Sequence, residues 1–494
     1  MTRQSRREFL ENSMFAAVAA TAAASPVASQ AADREGSKSP NERLRVAVLG
    51  VNGRGRSHIS GFLPRADCEI AAIVDPDENV GLTKGVKNVF DRTGKKPALY
   101  KDMREVFDDK SIDIVSIATP NHWHSLAAIW AVQAGKDVYV EKPISHNVNE
   151  GRRVVQAARK HNRMVQAGTQ CRTIAGTREA IEFVLAGGIG EVKLARGLCY
   201  KPRGSIGPKG NYDVPAGIDY DLWLGPAPKM EVTTRRRFHY DWHWQYDYGN
   251  GDLGNQGIHQ MDIARWGLGV DTIGDSVIAY GGRLGYVDAG NTANTQVSVH
   301  TWGDKTLIFE TRGLKTSGLS PQSDVGGSKI GVIFYGTKGY VVQYRYTHSA
   351  AFDLDGKMIK EFKGGSDADH YNNFIAGVRS RKHEDLNGEV EKGHISSALC
   401  HLGNVSYLLG ETVDAKEASR RLDGNDAAME TFDRTVQHLV DNGVDLGKTP
   451  LRFGAPVKID GKAEAATGEM AKAANAMFTR EYRAPFVVPE EKAL

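Results

Sequence analysis

The stretch VEKPIS, residues 140–145, puts Lys142 between an acid and a proline just where a run of strand-forming residues stops. Pro143 fixes its own backbone and pushes the preceding residue toward extended geometry, so the direction of the Lys142 side chain is set by the next position. An amine held at a strand end can be buried, and burial lowers its pKa toward the range where it exchanges protons near neutrality. A second stretch, GDLGNQGIHQMDIARWGLG at 251–269, carries Asn255 and His259 four residues apart on one helical face, with Asp262 three further along. The imidazole of His259 is a general acid or base, whereas the amide of Asn255 orients a hydroxyl and relays no proton. Asp252, upstream of this helix, is the candidate substitute.

Groups more than a hundred residues apart act together only on a scaffold that joins them. From Leu44, short runs rich in Val and Ile alternate with helical-period segments: LRVAVLG (44–50), CEIAAIVD (68–75), IDIVSIAT (112–119), KDVYVEK (136–142) and RMVQAGT (163–169), separated by stretches such as SLAAIWAVQAG (125–135) and NEGRRVVQAARKHN (149–162). That alternation predicts an α/β domain, a doubly wound parallel sheet with helices on both faces. The first strand runs into GVNGRGRSH, where Gly50, Asn52 and Gly55 occupy the places of G-x-G-x-x-G, with Gly53 and Arg54 between them. Asn tolerates left-handed backbone better than most residues, so the turn is expected to survive the change at position 52. Asp75 ends the second strand at the separation a dinucleotide site requires.

The expected cofactor is therefore NAD rather than NADP: the turn cradles a pyrophosphate, and the Asp75 carboxylate accepts from ribose hydroxyls while repelling a 2′-phosphate. Ligands of such sheets lie at the carboxyl ends of the strands. Thr119, Pro120, Asn121 and His124 of ATPNHWH, together with Glu141 and Lys142, are expected at the nicotinamide half. Gln170 and Arg172 of GTQCRT sit where the chain crosses to a second domain and are expected to reach the same cleft.

The glycine turn, Asp75, TPNHWH and above all EKP resemble the Gfo/Idh/MocA oxidoreductases, glucose-fructose oxidoreductase and inositol dehydrogenase among them, from about Leu44 to at least Gly410. The resemblance implies a Rossmann domain joined to a second domain whose open sheet packs against the cofactor and often against another subunit, hence a homodimer or homotetramer. It implies that Lys142 is an active-site residue. It also implies an Asp-x-x-x-His motif whose histidine falls on His259 and whose aspartate position is Asn255 here.

The second domain is expected over 170–415 as an α+β unit with an open, mostly antiparallel sheet. Segments TANTQVSVHTW (292–302) and KTLIFETRG (305–313) alternate polar and apolar residues as such strands should. Within it, Tyr200 and the aromatic stretch containing Trp242 and His243 are expected to bind a sugar face and its hydroxyls beside Lys142, Arg172 and His259. Residues 416–494 read as an extension wrapping the second domain.

Composition narrows the partners. The 494 residues, 40% hydrophobic, suffice for two full cores, and a formal charge of +3 with acids and bases intermixed argues against nucleic acid or an anionic membrane surface. A small neutral ligand fits better, and the resemblance implies a sugar or polyol. The four cysteines are far apart without metal or redox spacing, and His122 and His124 lack a third ligand, so no metal is expected. SRREFL followed by an apolar stretch from Met14 to Ala24 reads as a twin-arginine export signal over 1–31, too short to be a membrane anchor, with a linker over 32–43 and a periplasmic or exported destination.

The leading expectation is hydride transfer at a carbinol carbon of a sugar, polyol or glycoside, with the cofactor retained because free nicotinamide is scarce after export. An NAD-dependent glycosidase, oxidising transiently to allow elimination, is the alternative. A non-catalytic NAD- or sugar-binding protein is a second one, suggested by Asn52 and Asn255.

Overall fold

The computed structural model describes residues 43–494 apart from 235 and 323–325. The expected export signal and all of the linker but its last residue lie outside the described residues.

Six parallel strands form the first sheet: β1 (Leu44–Leu49), β2 (Cys68–Val74), β3 (Ala98–Tyr100), β4 (Ile114–Ile117), β5 (Asp137–Val140) and β6 (Val165–Ala167), in the order β3-β2-β1-β4-β5-β6. The strand order reverses beside β1, which opens a crevice at the carboxyl ends of β1 and β4. Alternation within one strand explains the continuous apolar runs: Val46 and Val48 enter one core with Ile59, Phe62 and Ile73, while Ala47 and Leu49 enter the other with Val115, Ile117 and Leu126.

The second sheet is larger and mixed. It contains β7 (Val192–Tyr200), β8 (Ser276–Gly282), β9 (Thr295–Trp302), β10 (Lys305–Arg312), β11 (Ile330–Gly336), β12 (Gly339–Arg345), β13 (His348–Asp353), β14 (Met358–Lys363), β15 (Glu411–Val413), β16 (Leu451–Phe453), β17 (Val457–Asp460) and β18 (Ala465–Thr467). Their order is β14-β13-β12-β11-β7-β10-β9-β8-β16-β15, with β17 on β8 and β18 on β17. All pairings are antiparallel except β7 with β10. One face packs on the helices Ala175–Leu185, Ile258–Leu268 and Val390–Leu408 through Ile181, Met261, Phe309, Phe334 and Leu399. The C-terminal residues add strands to the sheet as well as wrapping it: the helix Asp426–Asp441 lays Phe432 and Leu439 on the opposite face, against Tyr280, Val299 and Ile308.

Two features position the chemistry. The helix Val390–Leu408 joins the domains, with Val390 in the core of the first and Leu399 in that of the second. Its Ser397 hydroxyl accepts from the Ile144 amide at 3.1 Å, and its His401 lies 3.0 Å from the Ser145 hydroxyl. This helix therefore anchors the residues that follow Lys142, across a Lys142–Pro143 bond that is cis. Among the described residues no helix is long and apolar enough to cross a membrane, and the four cysteines are buried free thiols.

Candidate active site

A cleft of about 380 Å³ runs from the carboxyl ends of β1, β2, β4 and β5 to the start of the helix Ile258–Leu268. At its nucleotide end, Gly50 takes the left-handed conformation, φ +78°, and a Cβ on Gly55 would overlap the Gly50 carbonyl oxygen. Asn52 is not left-handed: Gly50 carries the conformational demand of the turn, which is why Asn is accepted two residues later. A Cβ on Gly53 would meet nothing within 4 Å, so the turn's open side faces the cleft.

Asp75, 5% exposed, accepts the Val51 amide at 2.9 Å on one oxygen and the Asp77 amide at 3.1 Å on the other. A second acceptor direction remains free on each oxygen. Burial raises its pKa to about 6 despite those two bonds.

At the other end, Lys142 Nζ donates to the Asn255 carbonyl oxygen at 2.6 Å, bringing the strand-end amine to the helix that carries His259. Withdrawal from water lowers the Lys142 pKa, and Glu141 opposes the fall. Glu141 itself is an anchor. Arg54 Nε donates to it at 2.9 Å, and His58 and Gln170 approach at 3.2 and 3.4 Å. Burial favours its neutral form, yet Arg54 and His58 outweigh burial and hold it well below the usual carboxylate range.

His259 is 8% exposed, and burial, then the charge of Lys142, push it down to about 3, so its imidazole is neutral. Its Nδ1 is buried without a partner. The Tyr346 ring lies 5.4 Å away, and the Tyr346 hydroxyl accepts from Gln256 at 2.6 Å, which leaves its own proton for a ligand. His243 stacks on Trp242 at 3.6 Å, with its Nδ1 2.6 Å from the Tyr240 carbonyl oxygen. A carbonyl only accepts, so Nδ1 carries the hydrogen; burial holds the ring neutral, at about 3, and Nε2 keeps its lone pair.

The cleft thus unites most of the residues expected there: Gly50, Asn52, Gly53, Arg54, Asp75, Thr119, Pro120, Asn121, His124, Glu141, Lys142, Gln170, Trp242, His243, Asn255 and His259. Three expectations need correction. Tyr200 is not in the cleft: it is buried beneath the second sheet, donating to Glu310 at 2.6 Å, because it ends a strand on the face covered by the C-terminal helix. Arg172 pairs with Asp262 at 2.8 Å inside the protein, so neither is offered to a substrate. Gly55 lies under the turn instead of lining the cleft.

Two others are placed there but already engaged. The two His124 ring nitrogens lie against the Pro143 and Thr119 carbonyls at 2.6 and 2.8 Å, so this side chain braces the two strand ends. Arg54 spans Glu141 and Asp367, and Asp252 is held by Arg203 at 2.6 Å, outside the cleft lining. Tyr346, Gln256 and Lys101 also line the cleft, and no local motif marks them; Tyr346 arrives from the β12–β13 turn.

The donor set fits a nicotinamide dinucleotide. An open glycine turn, a buried carboxylate with free acceptor directions, and the partnerless buried Thr119 Oγ1 and His259 Nδ1 all border one cleft. Among the described residues no group of three or more His, Cys, Asp or Glu is placed to hold a metal.

Similarity to known proteins agrees with this geometry. Residues 44–169 match the model of the Gfo/Idh/MocA oxidoreductase family's NAD-binding Rossmann fold, and residues 206–441 match the family's C-terminal alpha/beta domain. Glycosyl hydrolase family 109 protein 1 of Shewanella sp. (strain MR-4) is 34% identical over 123 residues, 24% of this chain and 27% of that protein. The alpha-N-acetylgalactosaminidase of Shewanella oneidensis is 33% identical over the same shares. The likeness thus spans about a quarter of those curated relatives. Among solved structures, the WlbA dehydrogenase from Bordetella pertussis, in complex with NADH and UDP-GlcNAcA, superposes with a TM-score of 0.53 at 18% identity, covering 74% of this chain and 97% of that one. A putative oxidoreductase from Thermotoga maritima gives 0.55 at 18% identity over the same shares. At such identities the likeness is one of fold. With an NAD-binding Rossmann domain and the matching C-terminal domain in sequence, this chain belongs to the Gfo/Idh/MocA oxidoreductase family.

Proposed function

We propose that the protein is an exported, NAD-dependent oxidoreductase that moves hydride at a carbinol carbon of a sugar, polyol or glycoside and keeps its cofactor between turnovers. The observation that carries this reading is the meeting of Lys142 and the His259 helix, with Nζ 2.6 Å from the Asn255 carbonyl, in the cleft that also holds the glycine turn and Asp75. Bound nicotinamide supplies the hydride acceptor. The chain supplies proton handling and orientation: Lys142, with its lowered pKa, exchanges the hydroxyl proton, and the neutral His259 donates its ring N–H to the same oxygen. Tyr346 donates to a neighbouring oxygen, His243 Nε2 accepts from another hydroxyl, and Trp242 backs the His243 ring. Asp75 favours NAD over NADP. Export rests on the paired arginines near the N-terminus, and self-association as a dimer or tetramer rests on the family resemblance.

The likeness of a 123-residue stretch to glycosyl hydrolase family 109 proteins favours a second reading, redox-neutral cleavage of a glycoside by the same groups. One experiment tests both. Nucleotide carried by natively purified protein is identified by mass spectrometry. Levoglucosan, myo-inositol and p-nitrophenyl N-acetyl-α-galactosaminide are then added while reduced-nicotinamide absorbance and nitrophenol are followed. An absorbance rise supports the oxidoreductase, and nitrophenol release without net absorbance change supports the glycosidase. A protein that binds no nucleotide and acts on none of these loses both readings.

A further inference from the structure

The segment between β7 and the helix Ile258–Leu268 does not stay with its own domain. Around residues 217–219 it reaches the end of β2: Asp77 and Ile218 form a β-bridge, the Asp219 amide donates to the Pro76 carbonyl at 2.8 Å, and the Glu78 amide to Gly217 at 3.3 Å. His239 Nε2 then lies 2.8 Å from the Asp77 carboxylate, next to Asp75. Farther along, the Trp123 indole donates to the Leu222 and Trp223 carbonyls at 3.0 and 3.1 Å, and His122 lies between the Trp223 and Tyr248 carbonyls. Leu222, Trp223 and His239 consequently line the cleft together with Asp75, Pro76 and Met103, at its adenosine half.

A third part of the chain holds this segment down. Arg483 donates to the Asp221 carbonyl at 2.7 Å, to the Asp221 carboxylate at 2.5 Å and to the Gly225 carbonyl at 3.1 Å. Arg480 donates to the Asp247 carbonyl at 3.0 Å. Phe486, three residues on from Arg483, is buried in the first domain's core, its ring 5.4 Å from that of Trp123. The C-terminal stretch is thus rooted in the nucleotide domain and grips the segment from outside.

We infer that residues 217–234 and 236–248 form a clasp that completes the adenosine side of the nucleotide site, with Leu222, Trp223 and His239 contacting the bound nucleotide and Arg483 acting as a positioning residue that keeps the clasp shut. The inference rests on the cleft being a dinucleotide site. It gives the retained cofactor a physical cause: a nucleotide leaves only after the clasp lifts, and lifting it breaks the Arg483 bonds and the Pro76 and Asp77 bridge together. The aromatic segment is divided between two tasks, with Leu222, Trp223 and His239 on the nucleotide and Trp242 and His243 at the reactive end.

The test measures release of NADH, ADP-ribose and nicotinamide mononucleotide from the full mature chain by stopped-flow displacement and rapid gel filtration. Arg483→Ala and His239→Ala are compared with wild type and with Arg483→Lys. Release of NADH and ADP-ribose accelerates at least tenfold in both alanine variants and is partly restored in Arg483→Lys, while nicotinamide mononucleotide, which lacks the adenosine half, leaves at an unchanged rate. Equal acceleration of all three ligands means general loosening and overturns the clasp. Unchanged release of NADH in folded variants, checked by circular dichroism, overturns it as well. A wild type that binds none of the three overturns the nucleotide reading itself, which is a different failure.

Discussion

Lys142 and Asp75 define the two ends of the cleft, and each carries a residue-scale expectation. Lys142→Ala removes the amine proposed to exchange the hydroxyl proton, and it should slow reduction of bound nicotinamide by about two to four powers of ten while nucleotide affinity stays within a few fold. Single-turnover absorbance on nucleotide-loaded protein checks this. For Asp75 the sign follows from its raised pKa. The native state binds that proton more tightly than the unfolded chain, so the associated stability is present below about pH 4 and is lost as pH rises through about 6. At neutral pH the ionised carboxylate is a standing cost of about 3 kcal/mol. NAD, whose ribose hydroxyls donate to the ionised form, should offset it. Apo melts between pH 4 and 7.5 should show wild type losing stability relative to Asp75→Asn as pH rises. Calorimetric NAD affinity should in turn weaken below about pH 6 in wild type and stay flat in the variant. Cleft residues were legible where a motif marks them, as at Lys142, His259 and Asp75. Tyr346 was not, because its position depends on a β-turn folded back from another part of the sheet.

At the scale of elements, the first sheet was legible because parallel strands buried on both faces read as unbroken Val and Ile runs. The glycine turn was legible as a pattern, but the left-handed residue lies at Gly50, and Asn52 needs no special backbone. Two substitutions separate the turn's structural and binding roles. Gly55→Ala would drive a Cβ into the Gly50 carbonyl and should abolish nucleotide binding along with several kcal/mol of apo stability, of order 3. Gly53→Ala has open space around it and should leave the apo melt within about 0.5 kcal/mol while weakening NAD binding. Differential scanning fluorimetry with and without NAD reads both. The clasp was illegible for a physical reason. Its contacts, Asp77 with His239 and Trp123 with Trp223, join residues at least a hundred positions apart, and an aromatic, basic loop fits a substrate wall, an interface or a nucleotide cover equally well.

For the whole molecule, charge and composition indicated a globular chain with a small ligand, but they say nothing of how many histidines fold away from water. His122, His243, His259, His300 and His401 are each pushed by burial to about 3. A histidine depressed in the native state stabilises fully above its unfolded pKa of about 6.5 and gives up that contribution as pH falls toward 3. Thermal melts should therefore drop steeply between pH 6.5 and 4, opposite in sign to the Asp75 effect, and the five buried histidines together should outweigh that one carboxyl. His300→Gln, away from the cleft, should flatten part of that drop without touching nucleotide affinity. A melting temperature independent of pH over this range would contradict the burial of these rings.

The helix Val390–Leu408 belongs to both cores, with Ser397 tied to the Ile144 amide and His401 to the Ser145 side chain. A beam shared by two rooms cannot be removed from one alone. Heat should consequently melt the Rossmann lobe and the large sheet in a single calorimetric peak, and the amides slowest to exchange with deuterium should lie along this one helix.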